Sequence, residues 1–536
     1  MAAITPLQTT PTYPANVRPQ DNPATQSSDY QASIAAWTII DDVLSGIDRV
    51  KSKLQIYLPQ FPRESVGSYR IRLQSAPWRP EFEDSLRSLS SKPFTKQVRL
   101  NEEAPEVFIG KVVDEKTKER KGGLIDDIDG EGNSLHVFAK NVFYNGIAYG
   151  LDLIYVTFPD AGPVRTKAEE IAQGARPYWV HVRSKDVIDL KVKKVNGKLK
   201  VTHIRMIENS MEQDGFAEVL RERIRVVWLD SASGLPTWQL YLKNAKNEYV
   251  AEAPPMQFAG MEEIPIVLFF TNERHGHYRV KPPLYDLAHV QLELYRALSR
   301  KDQIMTFAGS PMLKLVGFKP PAPTIVKDRY GNTIESSPVP VVEVGPNTTI
   351  FCPAGGDGSQ PDADYIQPNA ANLKEVREDV DGIMEDFRRL AMQPTTPKSG
   401  DMVATGQAID AAKAHSACEA WAMLLKDALE QAMVYTCQWM KISDTVTVSV
   451  HTDFAVDGGN ADQARIVGDA QKRGVVSKKT ERAELARRRI LGPDFDEEQE
   501  EERLAEEGEQ LEAEADIDPI TGLPIKPPVA KIPEGE

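Results

Sequence analysis

The residues of this sequence that could take part in chemistry are few and widely scattered. His415 and Cys418 are three positions apart on a predicted helix, a spacing at which both side chains could reach one metal ion. His275 and His277 form a second pair, separated by one glycine. Two ligands do not make a metal site, so we interpret both pairs as structural and expect no bound metal.

The common enzyme motifs are missing from the sequence. The run Gly355-Gly356-Asp357-Gly358 lacks the lysine and the following helix of a phosphate-binding loop. No His-Glu-x-x-His, Cys-x-x-Cys or Gly-x-Ser-x-Gly is present. We therefore expect a protein without enzymatic activity and without catalytic, metal-binding or cofactor-binding residues.

Size and composition indicate a large protein of several domains. The chain has 536 residues, of which 41% are apolar and 27% charged, enough for three or four domains. It has no apolar run of eighteen residues, so we predict no membrane-spanning helix and no membrane partner. No secretory signal is present, and three widely spaced cysteines favour a reducing intracellular setting.

The negative charge is concentrated near the C-terminus. Fourteen acids and one base, Arg503, lie between Asp494 and Asp518, whereas the net charge of the whole chain is −15. The rest of the chain is therefore close to neutral. This balance argues against a broadly basic surface that grips nucleic acid, but it is compatible with a protein that surrounds DNA without binding it tightly.

A helix, a loop and a much longer helix form the central stretch of the sequence. Residues 371–390 place apolar side chains at steps of three and four, which predicts an amphipathic helix. Two prolines and a glycine in 391–403 predict a loop. Residues 404–440 then predict a helix of about 55 Å. Its apolar side is expected to contain Ala417, Ala420, Leu424, Ala428 and Ala432, with Trp421, Leu425 and Trp439 adding bulk.

A helix is also predicted at 284–308, and residues 311–370, with ten prolines, are interpreted as a compact insertion between two helices.

Upstream, a flexible arm is predicted at residues 1–30, and helices are predicted at residues 32–58, 69–76 and 82–89. The segment 123–141 is predicted to be helical in patches. Strands follow at 150–158, 178–182, 187–192, 200–206, 224–229, 237–241 and 266–270. The fold class is therefore α+β, with a mainly antiparallel sheet.

The C-terminal part begins with an alternating strand at 445–450. A helical region at 461–490 is then interrupted at Lys472–Ser477, and an acidic segment precedes a Pro- and Gly-rich tail that we expect to be disordered.

From residue 282 onward, the order of elements resembles that of tailed-phage portal proteins, in which two stem helices flank a clip domain and a tunnel loop precedes a long wing helix. Gly474-Val475-Val476-Ser477 with Thr480, ahead of the acidic segment, is similar to a pattern common in that family. Tyr57-Leu58-Pro59, Tyr69-x-x-Arg72-Leu73 and Arg176-Pro177-Tyr178-Trp179-Val180 resemble one branch of it, often described only as portal-like. The resemblance covers roughly residues 32–515.

The resemblance implies a portal-like division of the chain. The expected parts are an N-terminal arm (1–30), the N-terminal part of an α/β wing (31–281), a first stem helix (282–310), a clip (311–370), a second stem helix (371–390), a tunnel loop (391–403), a long wing helix and strand (404–455), a helical crown (456–515) and a disordered tail (516–536).

The resemblance also implies a ring of about twelve subunits at one capsid vertex, in the virion and, during assembly, in the host cytoplasm. Double-stranded DNA would pass through it during packaging and ejection. Expected partners are the large terminase, the major capsid or scaffolding protein and the head–tail adaptor. The DNA channel would be lined by Gln393, Thr395, Thr396, Lys398, Ser399 and Asp401. The motor- and adaptor-facing clip residues would be Lys327, Asp328, Arg329, Tyr330 and Asn332.

Two other interpretations of the sequence remain possible. The chain could be an enzyme of the same assembly line, a nuclease or an ATPase, although no motif supports this. It could also be a capsid-associated structural adaptor. Without the resemblance, the residues themselves indicate only a large α+β assembly subunit.

Overall fold

The computed structural model describes residues 21–101, 103–113, 120–158, 176–195, 197–258, 260–309, 312–316, 326–327, 330–331, 333–334, 362–366, 370–391, 404–443, 446–452, 454, 461–487, 500 and 503. Residues 1–452 form one compact unit and residues 453–536 a second.

Helices and antiparallel strands share the first unit, which confirms the α+β class. Its helices are α1 (Ser28–Leu44), α2 (Ile47–Ser52), α3 (Val66–Ser75), α4 (Glu81–Ser91), α5 (Glu106–Ile109), α6 (Leu135–Tyr149), α7 (Tyr285–Gly309), α8 (Ala370–Leu390) and α9 (Ala404–Met440). The second unit contains α10 (Ala461–Lys472) and α11 (Lys478–Arg487).

The strands pair antiparallel throughout the described ranges. They are β1 (Arg99–Leu100), β2 (Val112–Val113), β3 (Arg120–Lys121), β4 (Leu151–Thr157), β5 (Tyr178–Arg183), β6 (Val187–Val195), β7 (Lys198–Ile207), β8 (Ser210–Asp214), β9 (Ala217–Arg221), β10 (Arg223–Leu229), β11 (Pro236–Lys243), β12 (Tyr249–Ala251), β13 (Met256–Gln257), β14 (Ile266–Phe270), β15 (Arg274–His275), β16 (Arg279–Val280), β17 (Met312–Val316), β18 (Val326–Lys327), β19 (Thr333–Ile334), β20 (Asp362–Ile366) and β21 (Val448–Ser449).

Two sheets dominate the first unit. The larger has the order β12-β11-β10-β7-β6, with β13 also paired to β11, and the smaller has the order β14-β4-β5. The seven strands predicted between residues 150 and 270 are all present. Their β-branched and aromatic residues suit a pleated, half-buried surface, which is why the sequence pattern located them.

The first predicted helix is divided in two. A single helix was expected over residues 32–58, but α1 ends at Leu44 and α2 begins at Ile47. Gly46 has a φ of +81° between them, a conformation that a continuing helix cannot include. Helix α1 begins earlier than expected because Ser27 caps it: the Ser27 Oγ accepts a hydrogen bond from the Tyr30 N–H at 3.2 Å.

The segment predicted to be helical in patches over 123–141 has a short 3-10 helix at Leu124–Asp126, then an irregular stretch, then α6, so the patches are confirmed. Asp129 accepts hydrogen bonds from the backbone N–H groups of Glu131 at 2.9 Å and Asn133 at 3.2 Å. These bonds compete with helix formation, so α6 begins only at Leu135. It then extends to Tyr149, beyond the predicted end, and Gly150 terminates it in the left-handed conformation.

The buried face of α9 differs from the one expected. Ala428 and Ala432 are buried as predicted, but Ala420 and Leu424 are exposed. Trp421 and Leu425 are also buried as predicted, Trp439 is half-buried, and Cys418, which was not expected on this face, lies in the core with them. An Ala-rich helix has little contrast between its faces, so apolar spacing alone could not orient it.

In the second unit, the Gly474–Thr480 pattern is a connection between α10 and α11. Gly474 has a φ of +72° after α10, and the Ser477 Oγ accepts a hydrogen bond from the Thr480 N–H at 3.1 Å at the start of α11. This glycine and this serine are therefore a helix end and a helix cap. The predicted break in the 461–490 region is confirmed.

Candidate functional site

Helices α7 and α8 form a pair with one apolar seam. Leu294, Ala297 and Leu298 of α7 pack against α8, where the matching side chains are Val380, Ile383 and Met384. Outside the seam, an Arg300 Nη2 lies 3.7 Å from an Asp379 carboxylate oxygen. Both helices lie within a residue of their predicted bounds, because their apolar positions recur every three or four residues.

Two strands connect the start and the end of the segment that lies between α7 and α8. Strand β17 begins three residues after α7, and β20 ends four residues before α8. They pair antiparallel, with Met312 opposite Ile366 and Val316 opposite Asp362. The segment between α7 and α8 therefore begins and ends at one two-stranded ribbon. Inside it, β18 and β19 form a second short hairpin.

Polar contacts fix α7 to the N-terminal helices. The Gln291 side chain is fully buried, accepting from the Phe82 N–H at 3.1 Å and donating to the Arg79 carbonyl at 2.7 Å. The Arg296 Nε donates to the Tyr57 carbonyl at 2.9 Å. Residues 287–299 of α7 are mostly buried, whereas Arg300–Thr306 are half-buried or exposed. The first half of α7 is therefore a fixed base for the pair.

Two sequence motifs singled out by the family resemblance meet beside this base. The Arg72 guanidinium donates to both carboxylate oxygens of Glu64 at 2.8 Å and to the Pro59 carbonyl at 2.8 Å. Both charged side chains are 5% exposed or less. The Tyr57 hydroxyl donates to the buried Asp42 carboxylate at 2.7 Å. These residues therefore hold the chain around Tyr57–Pro59 against α3 and α7.

Indole hydrogen bonds join α9 to the small sheet. The Trp179 Nε1 donates to the Thr436 Oγ1 at 2.8 Å, and the Trp421 Nε1 donates to the Thr271 carbonyl at 2.7 Å. Both bonds are buried, where an unpaired indole N–H would cost on the order of 1–3 kcal/mol. Trp179 belongs to the third resemblance motif, and its partner on α9 lies 257 positions away in the sequence.

The exposed side of α8 carries a band of carboxylates. Glu378, Asp379, Asp381, Glu385 and Asp386 are all exposed, and no base occurs between the first and the last of them. The bases of the helix lie nearer its ends, at Lys374, Arg377, Arg388 and Arg389. Lys374, Arg300 and Arg389 lie within 3.7 Å of the carboxylates of Glu378, Asp379 and Asp386, respectively. The surface therefore has a small excess of negative charge and offers no cluster of bases to a polyanion at its centre.

Most of the predicted site residues lie outside the described part of the chain. Gln393, Thr395, Thr396, Lys398, Ser399 and Asp401 belong to the undescribed range 392–403, and Asp328, Arg329 and Asn332 are also outside it. Lys327 is in β18, without a described side chain. Tyr330 lies in the turn between β18 and β19 and is 88% exposed. The structure therefore leaves both predicted sets as expectations.

A buried acid–histidine pair lies apart from these helices. The His181 Nε2 contacts the Asp152 carboxylate, which is fully buried, and lies 3.4 Å from the Asn145 amide nitrogen. Burial raises the pKa of Asp152 to about 6. Burial alone would lower the pKa of His181, but the carboxylate outweighs it and raises that pKa. Among the described residues, no hydroxyl or thiol is hydrogen-bonded to His181, so the pair lacks the nucleophile of a hydrolytic triad.

The two candidate metal pairs have structural contacts. The Cys418 thiol is buried and lies 3.8 Å from the Leu89 carbonyl, and burial raises its pKa to about 11. The His277 Nδ1 accepts from the Val192 N–H at 3.2 Å. The His415 side chain is outside the described atoms. Over the part of the chain that is described, no three His, Cys, Asp or Glu residues are arranged to hold a metal ion.

Within the described ranges, no helix is both long and apolar enough to cross a lipid bilayer.

One protein-family model matches the segment from α7 to α9. A family model described as "Domain of unknown function (DUF4055)" matches residues 283–440, from two residues before α7 to the last residue of α9. No curated protein sequence matches the chain.

Two solved structures are similar to the chain. One is described as "Virion of native gene transfer agent (GTA) particle", with 10% identity, a TM-score of 0.40, and 82% of this chain and 98% of the other covered. The second is "Neck of empty GTA particle computed with C6 symmetry", with 12% identity, a TM-score of 0.40, and 79% and 94% covered. At TM-scores of this size the likeness carries no inference about function.

Proposed function

We propose that this chain is the subunit of a portal: a structural, non-enzymatic component of a phage-type virion that forms a ring at one capsid vertex. Double-stranded DNA would pass through the ring during packaging and ejection. The observation that carries the proposal is the succession of α7, an inserted segment, α8 and the long helix α9. The family model that matches residues 283–440 spans this succession but adds no function to it.

The helix pair has the features that a stem requires. A stem must be stiff, and the α7–α8 seam buries six apolar side chains, each of which stabilises the pair by about 1–3 kcal/mol. It must also be fixed to a rigid body, which the buried Gln291 and the Arg296–Tyr57 contact provide. In the proposal, the segment between β17 and β20 is the clip.

The charge of the stem suits a channel for DNA. Each phosphate neutralised by a fixed Lys or Arg adds salt-dependent affinity, which would slow DNA that has to move. The carboxylate band from Glu378 to Asp386 offers no such contact. In the proposal, the band and the loop 391–403, including Gln393, Thr395, Thr396, Lys398, Ser399 and Asp401, face the channel.

The partners follow from this assignment. The clip residues Lys327, Asp328, Arg329, Tyr330 and Asn332 would meet the large terminase during packaging and the head–tail adaptor afterwards. The high exposure of the Tyr330 side chain, 88%, supports this part of the proposal. The major capsid protein or a scaffolding protein would surround the ring. Because a ring needs a head-to-tail interface that closes, the neighbouring copies are partners too.

Replacing the clip tests the proposal. Val316 and Asp362 are opposite each other, so an Asn-Gly turn in place of residues 317–361 should close β17 and β20 into a hairpin. We expect this variant to fold and to form rings like the full chain. We also expect it to lose binding to the large terminase and to yield heads without DNA, measured by pull-down and by the density of purified heads.

A chain that ends at residue 515 is the control, because it keeps the clip and loses residues 516–536. It should bind the terminase and support packaging. If the clip replacement yields DNA-filled heads in normal amounts, residues 317–361 are not the docking site. That result would contradict the assignment of the clip.

A further inference from the structure

An exposed apolar knob is found at the end of the β8–β9 hairpin. Every residue of both strands is exposed or half-buried, and Phe216, in the turn between them, is fully exposed, with a relative accessibility of 110%. Met211 and Leu220 are directly opposite each other on one face of the hairpin, and both are more than half exposed. The knob is therefore Phe216 itself, since the Met211–Leu220 pair lies three residue pairs away from the last pair before the turn, nearer the root of the hairpin. A fully exposed aromatic side chain at the end of a protruding ribbon is typical of an interaction site.

Charged contacts stiffen the hairpin. Glu212 lies 3.0 Å from Arg221 and 3.0 Å from Arg223, and Arg225 contacts Glu208 at the root. The Glu208 N–H donates to the Arg223 carbonyl at 2.9 Å, so the pairing of β8 with β9 continues that of β7 with β10. The knob is therefore carried at the end of one long ribbon rather than on a loop without internal pairing.

A groove lined by both apolar and charged side chains lies near the other end of the same ribbon. It has a volume of about 560 Å³ and is formed by α9, β14 and the first residues of β7. Leu199, Leu424 and Val434 line it and are each 44–52% exposed. A volume of this size is sufficient for an aromatic side chain and its neighbours. The exposure of Leu424, unexpected from the sequence, leaves an apolar stripe of α9 without a partner among the described residues.

The hairpin cannot reach the groove of its own chain. Lys200 lines the groove and Phe216 forms the knob, so the two are about 50 Å apart along the ribbon at about 3.3 Å per residue. Two complementary surfaces at opposite ends of one rigid element suit a head-to-tail contact, which repeats from copy to copy and can close into a ring. A second copy of this chain is therefore the occupant that the geometry favours.

The charges beside the two surfaces fit this occupant. Asp214 and Glu218 flank Phe216, and neither has an ion-pair partner among the described residues. In the groove, Lys200 is paired with Glu263 at 2.5 Å, while the Arg274 guanidinium lies over the Phe270 ring and has no described carboxylate partner. Asp427 also lines the groove, so the knob would enter with its acids toward Arg274 and away from Asp427.

We propose that the β8–β9 hairpin of one copy inserts Phe216 into the groove between α9 and β14 of the next copy, and that this contact links neighbouring subunits. The proposal rests on the proposed function in one respect, the head-to-tail arrangement of copies. It adds the two surfaces that meet and the residues that carry the contact.

Mixing two variants tests the contact directly. Phe216→Ser removes the knob and keeps the groove, and Val434→Glu alters the groove and keeps the knob. Each variant alone should associate at least about tenfold more weakly than the unmodified chain in analytical ultracentrifugation. An equimolar mixture should form heterodimers but no rings, since only one of the two possible contacts remains. Leu235→Ser, at another exposed apolar position, should associate normally, and thermal melts should show that all variants fold.

Photocrosslinking separates this proposal from the portal assignment. With a benzophenone amino acid at position 216, we expect an adduct to residues 423–438 of another copy, identified by mass spectrometry. Rings without that adduct would overturn the hairpin contact and leave the portal proposal standing. The adduct in open chains without rings would support the contact and contradict the portal. The absence of both the adduct and the rings would refute the contact. Full association by either variant alone would also refute it.

Discussion

Arg72 and Glu64 form an ion pair that is almost completely withdrawn from solvent. Removing both charges from water is costly, and the two hydrogen bonds between them, with a third to the Pro59 carbonyl, offset that cost. The hydrogen bonds from Arg72 also hold the pKa of Glu64 below its usual value. The pair therefore fixes the chain next to the base of α7.

Arg72→Met should be strongly destabilising, because it leaves the buried Glu64 carboxylate without a counter-charge, with only the hydrogen bond from the Phe61 N–H at 2.9 Å. We expect a loss of about 3–5 kcal/mol in the free energy of unfolding, measured by urea denaturation. Arg70→Met is the control: Arg70 lies on the same helix with its side chain exposed, and its loss should change stability by less than about 0.5 kcal/mol. Equal effects of the two substitutions would refute the structural role of the pair.

For individual residues, the sequence indicated which side chains are important but not which residues they contact. The resemblance motifs named Tyr57, Arg72 and Trp179, yet nothing local indicates that Arg296 donates to the Tyr57 carbonyl or that Thr436 accepts from Trp179. These partners are hundreds of positions away and are brought together by the tertiary fold. The Asp152–His181 pair was missed for the same reason, since its members lie on two neighbouring strands.

Helices α6 and α8 each contain an internal glycine, and the two have opposite surroundings. A Cβ atom on Gly146 of α6 would lie 2.3 Å from the Phe269 ring, which is buried and stacked on Phe143. A Cβ atom on Gly382 of α8 would meet nothing within 4 Å. Close approach to the sheet therefore requires Gly146, whereas Gly382 only lowers the helix propensity.

The two glycine-to-alanine substitutions should therefore shift the melting temperature in opposite directions. Gly146→Ala should destabilise by about 1–3 kcal/mol, because Phe269 has to move in a packed core. Gly382→Ala should stabilise by up to about 1 kcal/mol, since alanine is the better helix former. Differential scanning calorimetry of both variants checks this, and stabilisation by Gly146→Ala would contradict the packing of α6 on β14.

Elements with strong apolar periodicity could be predicted from the sequence, and elements without it could not. The bounds of α7 and α8 agree with the predicted ones within one residue. The β8–β9 hairpin was not predicted, because its side chains face solvent on both sides and do not alternate between apolar and polar. The buried face of α9 was partly wrong, because alanines lie on several of its sides.

At the scale of the whole molecule, the largest excess of acids lies outside the parts that build the proposed stem. Most of the net charge of −15 arises from residues 494–518, and α7 and α8 together carry only a small excess of acids. In the proposed ring, the loop 391–403 would take its surroundings from neighbouring copies. The sequence of one chain contains no local signal for such contacts, so the channel-facing residues stay a prediction.

In the proposed function, copies of this chain close into a ring around a channel. The most direct measurement is the mass and symmetry of the purified full-length protein, by native mass spectrometry together with electron microscopy class averages. The portal proposal predicts a closed ring of about twelve copies with a central hole wide enough for double-stranded DNA. A compact dimer without a hole would contradict it.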